Sequence, residues 1–227
     1  MILKYEEIDI EENFKQRVEA LWKAEKFKEL ELIKFGYSIQ KNLIKNSILF
    51  IGINPSNSDD SIKKEFYYSP QDGSHHKYFK KFSEVSNKTN IPWSHIDLLF
   101  VRKTDQKSIP SLENKCGNVG KEFLSANLQI SKELIELCSP QVIVVNNTLA
   151  KKYMGKNTEL ANEWIGYVSS FDNTAGTHFI NNCKQLSGVP VFFTSMLTGQ
   201  RALDNGSFER LIWHINFVTK FMNKTYN

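Results

Sequence analysis

Three short segments of this chain place polar or charged side chains directly after an apolar run. They are Gly52-Ile53-Asn54-Pro55-Ser56, then Asp97 with Arg102-Lys103-Thr104-Asp105 behind it, and Ser195-Met196-Leu197-Thr198-Gly199-Gln200-Arg201. Asn54 offers an amide, which donates and accepts hydrogen bonds but cannot take a proton as a general base. An Asn before Pro also closes a turn through its own backbone, and the two readings of Asn54 stand side by side. Asp97 offers a carboxylate, an acceptor only when ionised, and if buried it needs a partner such as Arg102 or Arg201. Arg201 and Thr198, with Lys103, have the chemistry of phosphate contacts or of an ordinary solvated surface. The run Phe66-Tyr67-Tyr68 supplies ring faces for stacking or for a small satellite core. His75 and His76 point about 100° apart on a helix, so a structural surface role suits them better than one shared metal ion, and no metal is expected.

The elements that must hold these residues read as an alternation of helices and strands. Residues 11–35 have Phe14, Val18, Leu21 and Trp22 at helical spacing among Lys and Glu, which predicts one long polar helix on the outside of a sheet. Ser47 to Ile53 is a continuous apolar run ended by Asn54-Pro55, the pattern of a strand buried on both faces. Residues 54–74 predict a long loop, His75 to Asn87 a helix, Ile96 to Val101 a strand, and Gly120 to Leu137 a helix. Val142 to Val145 and Val189 to Phe193 predict two more strands, and Ser207 to Met222 a last helix. Strands separated by helices imply parallel pairing, and ligands in such sheets gather at the carboxyl ends. The expected fold is therefore a three-layer αβα domain on a short parallel four-stranded sheet.

The chain has 227 residues, 41% hydrophobic and 24% charged, which suits one globular domain over 1–227, with a helical extension over 1–40 and a core over 47–227. A net charge of +4 helps a polyanion approach but is far from a dedicated basic tail. Cys116, Cys138 and Cys183 lie far apart and form no CxxC pair, so neither zinc nor an iron–sulfur cluster is expected, and no cofactor. No run approaches the roughly 18 apolar residues that cross a bilayer, and the N-terminus lacks a signal-peptide pattern, so the expected location is cytoplasmic.

At the strand ends the sequence resembles the uracil-DNA glycosylase superfamily, in its mismatch-type and uncharacterised branches. Gly52-Ile53-Asn54-Pro55-Ser56 is similar to the family's first motif, and Asp97-Leu-Leu-Phe-Val-Arg-Lys-Thr104 looks like its Asn-Leu-x-x-x-Arg-x-Thr segment. Ser195-Met-Leu-Thr-Gly-Gln-Arg201 is similar to its Ser-Pro-Leu-Ser-x-x-Arg segment. The likeness runs from about residue 47 to the C-terminus. It implies a protein that binds a nucleobase in nucleic acid, DNA in the first instance, with weak or altered cleavage of the N-glycosidic bond. Asn54 would stand at the water-positioning place and Tyr68, Asp97 and Phe193 at the base, while Ser56, Ser195, Thr198 and Arg201 would hold the backbone.

Two departures temper the implied chemistry. Asp97 stands where the family often has Asn to read the base edge. As a carboxylate it would suit the amino and ring N–H edge of guanine, or the amino group of cytosine, and repel the uracil O4. Phe193 stands where the family carries His or Asn, and Phe cannot donate to a departing base. The alternative is a non-catalytic protein of the same fold that recognises a nucleotide, a free base or a protein partner. A third reading, a small-substrate hydrolase, would use Asn54, Asp97 and His75 or His76.

Overall fold

The computed structural model describes residues 4–56, 65–68, 77–157 and 162–225. The chain opens with a short strand, β1 (Glu7–Asp9), and a helix, α1 (Ile10–Lys23). Asp9 caps that helix by accepting from the Glu12 N–H at 2.9 Å. The long helix expected over 11–35 ends at Lys23. Beyond it two 3₁₀ turns, Glu25–Phe27 and Glu31–Phe35, carry Phe27, Leu30, Leu32 and Phe35 inward, an apolar spacing that no single helix face accommodates. Strands β2 (Tyr37–Gln40) and β3 (Asn42–Ile44) follow, and β3 pairs with β1. Within segment 1–40, Ile10, Phe14, Val18 and Phe27 belong to the same core as the sheet.

The apolar run forms β4 (Ile48–Gly52), buried at every position. Within the expected loop over 54–74 lies a strand, β5 (Glu65–Tyr68), parallel to β2, consistent with the β-propensity of Phe66-Tyr67-Tyr68. A 3₁₀ turn at Lys77–Phe79 leads into α2 (Lys80–Thr89) and then β6 (Trp93–Asp97). The sixth strand therefore starts and ends earlier than the expected Ile96 to Val101, and Asp97 is its last residue. Next come α3 (Ser108–Lys115), α4 (Gly117–Cys138), β7 (Val142–Val145) and α5 (Thr148–Met154). The two-residue strands β8 (Lys156–Asn157) and β9 (Asn162–Glu163) precede a hairpin of β10 (Ser169–Asp172) and β11 (Thr177–Ile180). The chain closes with β12 (Pro190–Phe193) and α6 (Asn205–Thr225). Among the described residues no helix is long and apolar enough to cross a membrane.

The fold is α/β, with a mixed six-stranded central sheet in the order β10-β11-β12-β7-β4-β6. This corrects the expected parallel four-stranded sheet. The run β12-β7-β4-β6 is parallel, but β10 and β11 extend it antiparallel. Their turn rests on Asp172, whose Oδ1 accepts from the Thr174 and Ala175 N–H groups at 2.8 and 2.7 Å, and on Gly176 at φ +69°.

Period-two alternation splits β4 between two cores. Leu49 and Ile51 face α1, α3, α4 and α5, whereas Ile48 and Phe50 face α2 and α6. Phe50 stacks on Phe82 of α2, with centroids 4.4 Å apart, and meets Trp93 edge-on at 6.2 Å. Phe50→Ala should therefore cost about 3–5 kcal/mol, read as a lower denaturant midpoint at unchanged slope.

Candidate functional site

In the parallel run, the chain leaves β4 through α2 to reach β6 on one side, then returns through α3 and α4 to β7 on the other. The strand order thus reverses between β4 and β7, and the carboxyl ends beside such a point are where open α/β sheets place their ligands. Asn54, Asp97, Asn146 and Ser195 all follow or end the strands at this edge. The register fixes the placement: Gly52 lies opposite Asp97, Ile51 opposite Val145, and Phe193 opposite Val145. Asn54 and Ser195 are on the same edge, separated by the intervening β7 and so by about 10 Å laterally.

Asn54 is buried, and its amide nitrogen donates to the Lys103 carbonyl at 2.6 Å and to the Val101 and Pro55 carbonyls at 3.1 Å. These bonds tie the exit of β4 to the segment following β6. Three carbonyl acceptors dictate the orientation of the amide, leaving Oδ1 buried with no hydrogen-bond partner among the described residues. Lys103 is drawn into this clamp through its backbone, and its ammonium lies 4.0 Å from the centre of the Phe35 ring. Asn54→Asp would set a carboxylate oxygen against those carbonyls. It should lower stability by roughly 3 kcal/mol, read in a denaturant melt at pH 8, and should not raise any activity.

Asp97 is 7% exposed and projects to the α2/α6 face, as His95 and Trp93 do. A Cβ built on Gly52 would lie 2.2 Å from Asp97 Oδ1, so only glycine leaves room for the carboxyl. The His95 Nε2 is 3.9 Å away, too far for a hydrogen bond. Burial pushes the Asp97 carboxyl up to about 7 and the His95 imidazole down to about 3, so a neutral pair rather than an ion pair is favoured. The arginine partner expected for Asp97 does not materialise: burial is the cause of its shift, and neither Arg102 nor Arg201 contributes. His95 sits among rings, 5.6 Å from Phe82, 5.8 Å from Tyr78 and 5.3 Å from Phe79. Burial raises the Tyr78 phenol, and the negative charge of Asp97 adds to the rise, while the Asn146 side chain hydrogen-bonds it.

Tyr78 also lines an open groove of about 500 Å³ between the start of α2 and the loop after β12. Lys77, Lys80 and Lys81 form one wall, Thr198 and Gly199 the other. Lys81 is partly engaged, reaching Glu84 at 2.9 Å and lying 4.0 Å from the centre of the Phe208 ring. Lys77 and Lys80 have no ion-pair partner among the described residues. The groove is thus electropositive at the first turn of a helix, where lysines oppose the helix dipole instead of complementing it.

The remaining expected residues divide. Thr198 lines the groove, while Ser56, Ser195 and Arg201 are exposed at the same edge. Phe193 is not brought to Asp97. Phe192 belongs to the α6 side, so Phe193 projects to the opposite face, where its ring is 5.4 Å from His178 and 4.9 Å from the Lys151 ammonium. Thr194, the next residue, returns to the face of Asp97. Tyr68 ends β5, and its side chain lies outside the described residues, as do His75 and His76. His214 Nε2 contacts the Ala175 carbonyl at 2.6 Å, and His178 Nδ1 is 3.5 Å from Ser169 Oγ, both structural arrangements. Among the described residues no group of three or more His, Cys, Asp or Glu is placed to hold a metal ion. Sequence reasoning missed His95, Tyr78, Lys77, Lys80 and Asn146. The Lys77-Tyr78 and Lys80-Lys81 pairs were a usable signal, a run of cations interleaved with rings just after the loop that leaves β4.

No protein-family model matches the chain, and no curated protein sequence matches it.

The raised Asp97 carboxyl makes a stability statement with a definite sign. The folded state holds this proton up to about pH 7, whereas an unfolded Asp releases it near pH 4. Asp97 therefore destabilises progressively as pH rises through that window. Asp97→Asn should leave stability unchanged at pH 4 and raise it at pH 8, by on the order of 1.4 kcal/mol per pH unit crossed, read in paired denaturant melts.

Proposed function

We propose that this chain is a uracil-DNA glycosylase-like protein that holds one nucleobase of a nucleic-acid strand at the β4–β7 crevice, with weak or altered excision of that base. The observation that carries this reading is the lysine-walled groove, joined through Tyr78 to the buried Asp97 at the carboxyl ends of the sheet. Lys77 and Lys80, with Thr198 and the exposed Arg201, track the phosphates, and such contacts position a strand without reading its sequence. A base extruded from the strand has the Tyr78 ring as a stacking face and Asp97 as the partner for its edge. Tyr78 takes the role first given to Tyr68.

The residues present predict slow chemistry. Asn54 keeps Oδ1 as a buried acceptor, and an amide does not remove a proton from water. Phe193, on the far face, gives nothing to a departing base anion, and loss of such a donor costs on the order of a hundredfold in rate. The non-catalytic alternative draws support from the same Asn54, whose nitrogen is committed to three backbone carbonyls.

Fluorescence anisotropy with a labelled single-stranded oligonucleotide tests the groove. Affinity should fall steeply with salt, and Lys77→Glu with Lys80→Glu should lower it at least tenfold and flatten the salt slope by about one per lost phosphate contact. Arg201→Ala should weaken all sequences alike. Salt-independent affinity, or a double variant that binds as the parent does, would sink the nucleic-acid reading.

A further inference from the structure

We propose that the outer face of α6 is an interface with a second copy of this chain, two α6 helices packing antiparallel across a twofold axis through their Trp213 and Phe217 rings. The inner face of α6 already serves the fold, since Phe208, Leu211, Ile212, Ile215 and Val218 are buried in the core shared with α2 and the sheet. Trp213 and Phe217 stand on the opposite side, four residues and so about one helical turn apart. Their rings stack with centroids 5.4 Å apart and planes within 8°. Trp213 is 65% exposed, the most of any large hydrophobic side chain among the described residues, and Phe217 is 38% exposed. Single exposed hydrophobics are ordinary, but adjoining exposed rings make a patch of the kind that marks an interaction site. Tryptophan is also among the residues that carry most of the energy of such contacts.

The flanking charges select a second copy as the occupant. Along the helix the midpoint of the two rings falls at Ile215. Glu209 lies six residues before it and Lys220 five after, about 9 and 7.5 Å along the axis. At about 100° per residue these two side chains are only about 20° apart around the helix, so they share one flank of the ring pair. A twofold axis through the midpoint reverses the helix while setting each flank against the same flank of the other copy. Glu209 therefore meets Lys220 of the second copy, the reciprocal pair forms at the other end, and Trp213 meets Phe217 between them. Both charges are available for this. The Glu209 side chain is 73% exposed and reaches Lys88 only at 3.9 Å, while Lys88 holds Glu84 closer, at 3.3 Å. Lys220 is exposed and has no ion-pair partner among the described residues. A polyanion would instead meet Glu209 and Asp204 together with Arg210, and this mixture of signs suits self-pairing better than a partner of one sign.

This inference is independent of the nucleobase reading. The groove is lined by residues outside α6, so pairing through the outer face of that helix leaves the groove lining uncovered by α6 itself. One helix face is smaller than the roughly 800 Å² per partner of a standard interface, so the dimer is weak, with a dissociation constant on the order of tens of micromolar.

Sedimentation equilibrium of the full chain, from low micromolar to near-millimolar concentration, should show the mass rise from 26.3 kDa toward twice that value. Trp213→Glu should raise the dimer dissociation constant at least ~30-fold. Glu209→Lys and Lys220→Glu should each weaken the dimer on the order of tenfold, because the twofold turns each into two like-charge contacts, and combining them should restore the parent affinity. That rescue reports antiparallel pairing even if Trp213→Glu fails to fold. A chain that stays monomeric over the whole range, a dimer that tolerates Trp213→Glu, or a double variant no better than the single ones overturns the proposal. A monomer whose tryptophan emission shifts only with phosphatidylserine–phosphatidylcholine vesicles, or only with an oligonucleotide, gives this face to a membrane or a strand and overturns it equally. Failure of oligonucleotides to bind the groove overturns the nucleobase reading and leaves this one standing.

Discussion

The whole strand-end edge depends on the pairing of β4 with β6 in one register, Gly52 opposite Asp97. β4 is hydrogen-bonded on both sides and buried throughout, so its register can slip by one residue only by turning Leu49 and Ile51 to the wrong core. That register delivers Asp97 to the one place along β4 where no side chain stands in the way. The Asn54 clamp then continues the same alignment beyond the strands, because its nitrogen fastens β4 to the carbonyls of Val101 and Lys103. One set of backbone constraints thus holds both polar residues at the crevice.

Electrostatics follow from this geometry. The face shared by His95, Asp97 and Trp93 is packed with rings from α2 and the turn before it, and among the described residues no cation adds to the shift of the carboxyl. Desolvation then drives each group toward its neutral form, His95 downward and Asp97 and Tyr78 upward. The positive charge instead stays on the groove wall, on Lys77 and Lys80, where solvent screens it and where a polyanion would meet it first. A buried, neutral strand end thus lies behind a solvated cationic groove wall.

How much of this was legible follows the physics of each signal. β4, β7 and β12 were readable because a strand buried on both faces must be a continuous apolar run, and α6 because Phe208, Leu211, Ile212, Ile215 and Val218 repeat at helical spacing. β6 was misplaced because Trp93-Ser94-His95 does not look apolar, yet Ser94 and His95 are fully buried there, with Ser94 hydroxyl contacts to Ser47 and Ile44. That slip moved Asp97 from a strand end to a strand middle. The β10–β11 hairpin carried its signal in Asp172-Asn173-Thr174-Ala175-Gly176, a turn sequence that follows a strand, β10, largely exposed and so without core alternation. The single-helix reading of 11–35 failed because its apolar residues change spacing after Lys23, from a helical stripe to 3₁₀ turns.

The candidate site was legible at Asn54 and Asp97, since both close apolar runs, but not at the residues that give them their chemistry. His95 and Tyr78 act on Asp97 through burial and packing, and burial depends on which face of a strand or helix meets which neighbour. The surroundings of Asp97 were hidden for the same reason. From sequence, a carboxylate beside Arg102 and ahead of Arg201 invites an ion pair; in the fold it lies against a glycine and a neutral imidazole. A carboxyl held this way is no longer the acceptor-only group that its residue name suggests. Below the pH at which it ionises, it presents one donor and one acceptor, the pair that an asparagine amide also presents.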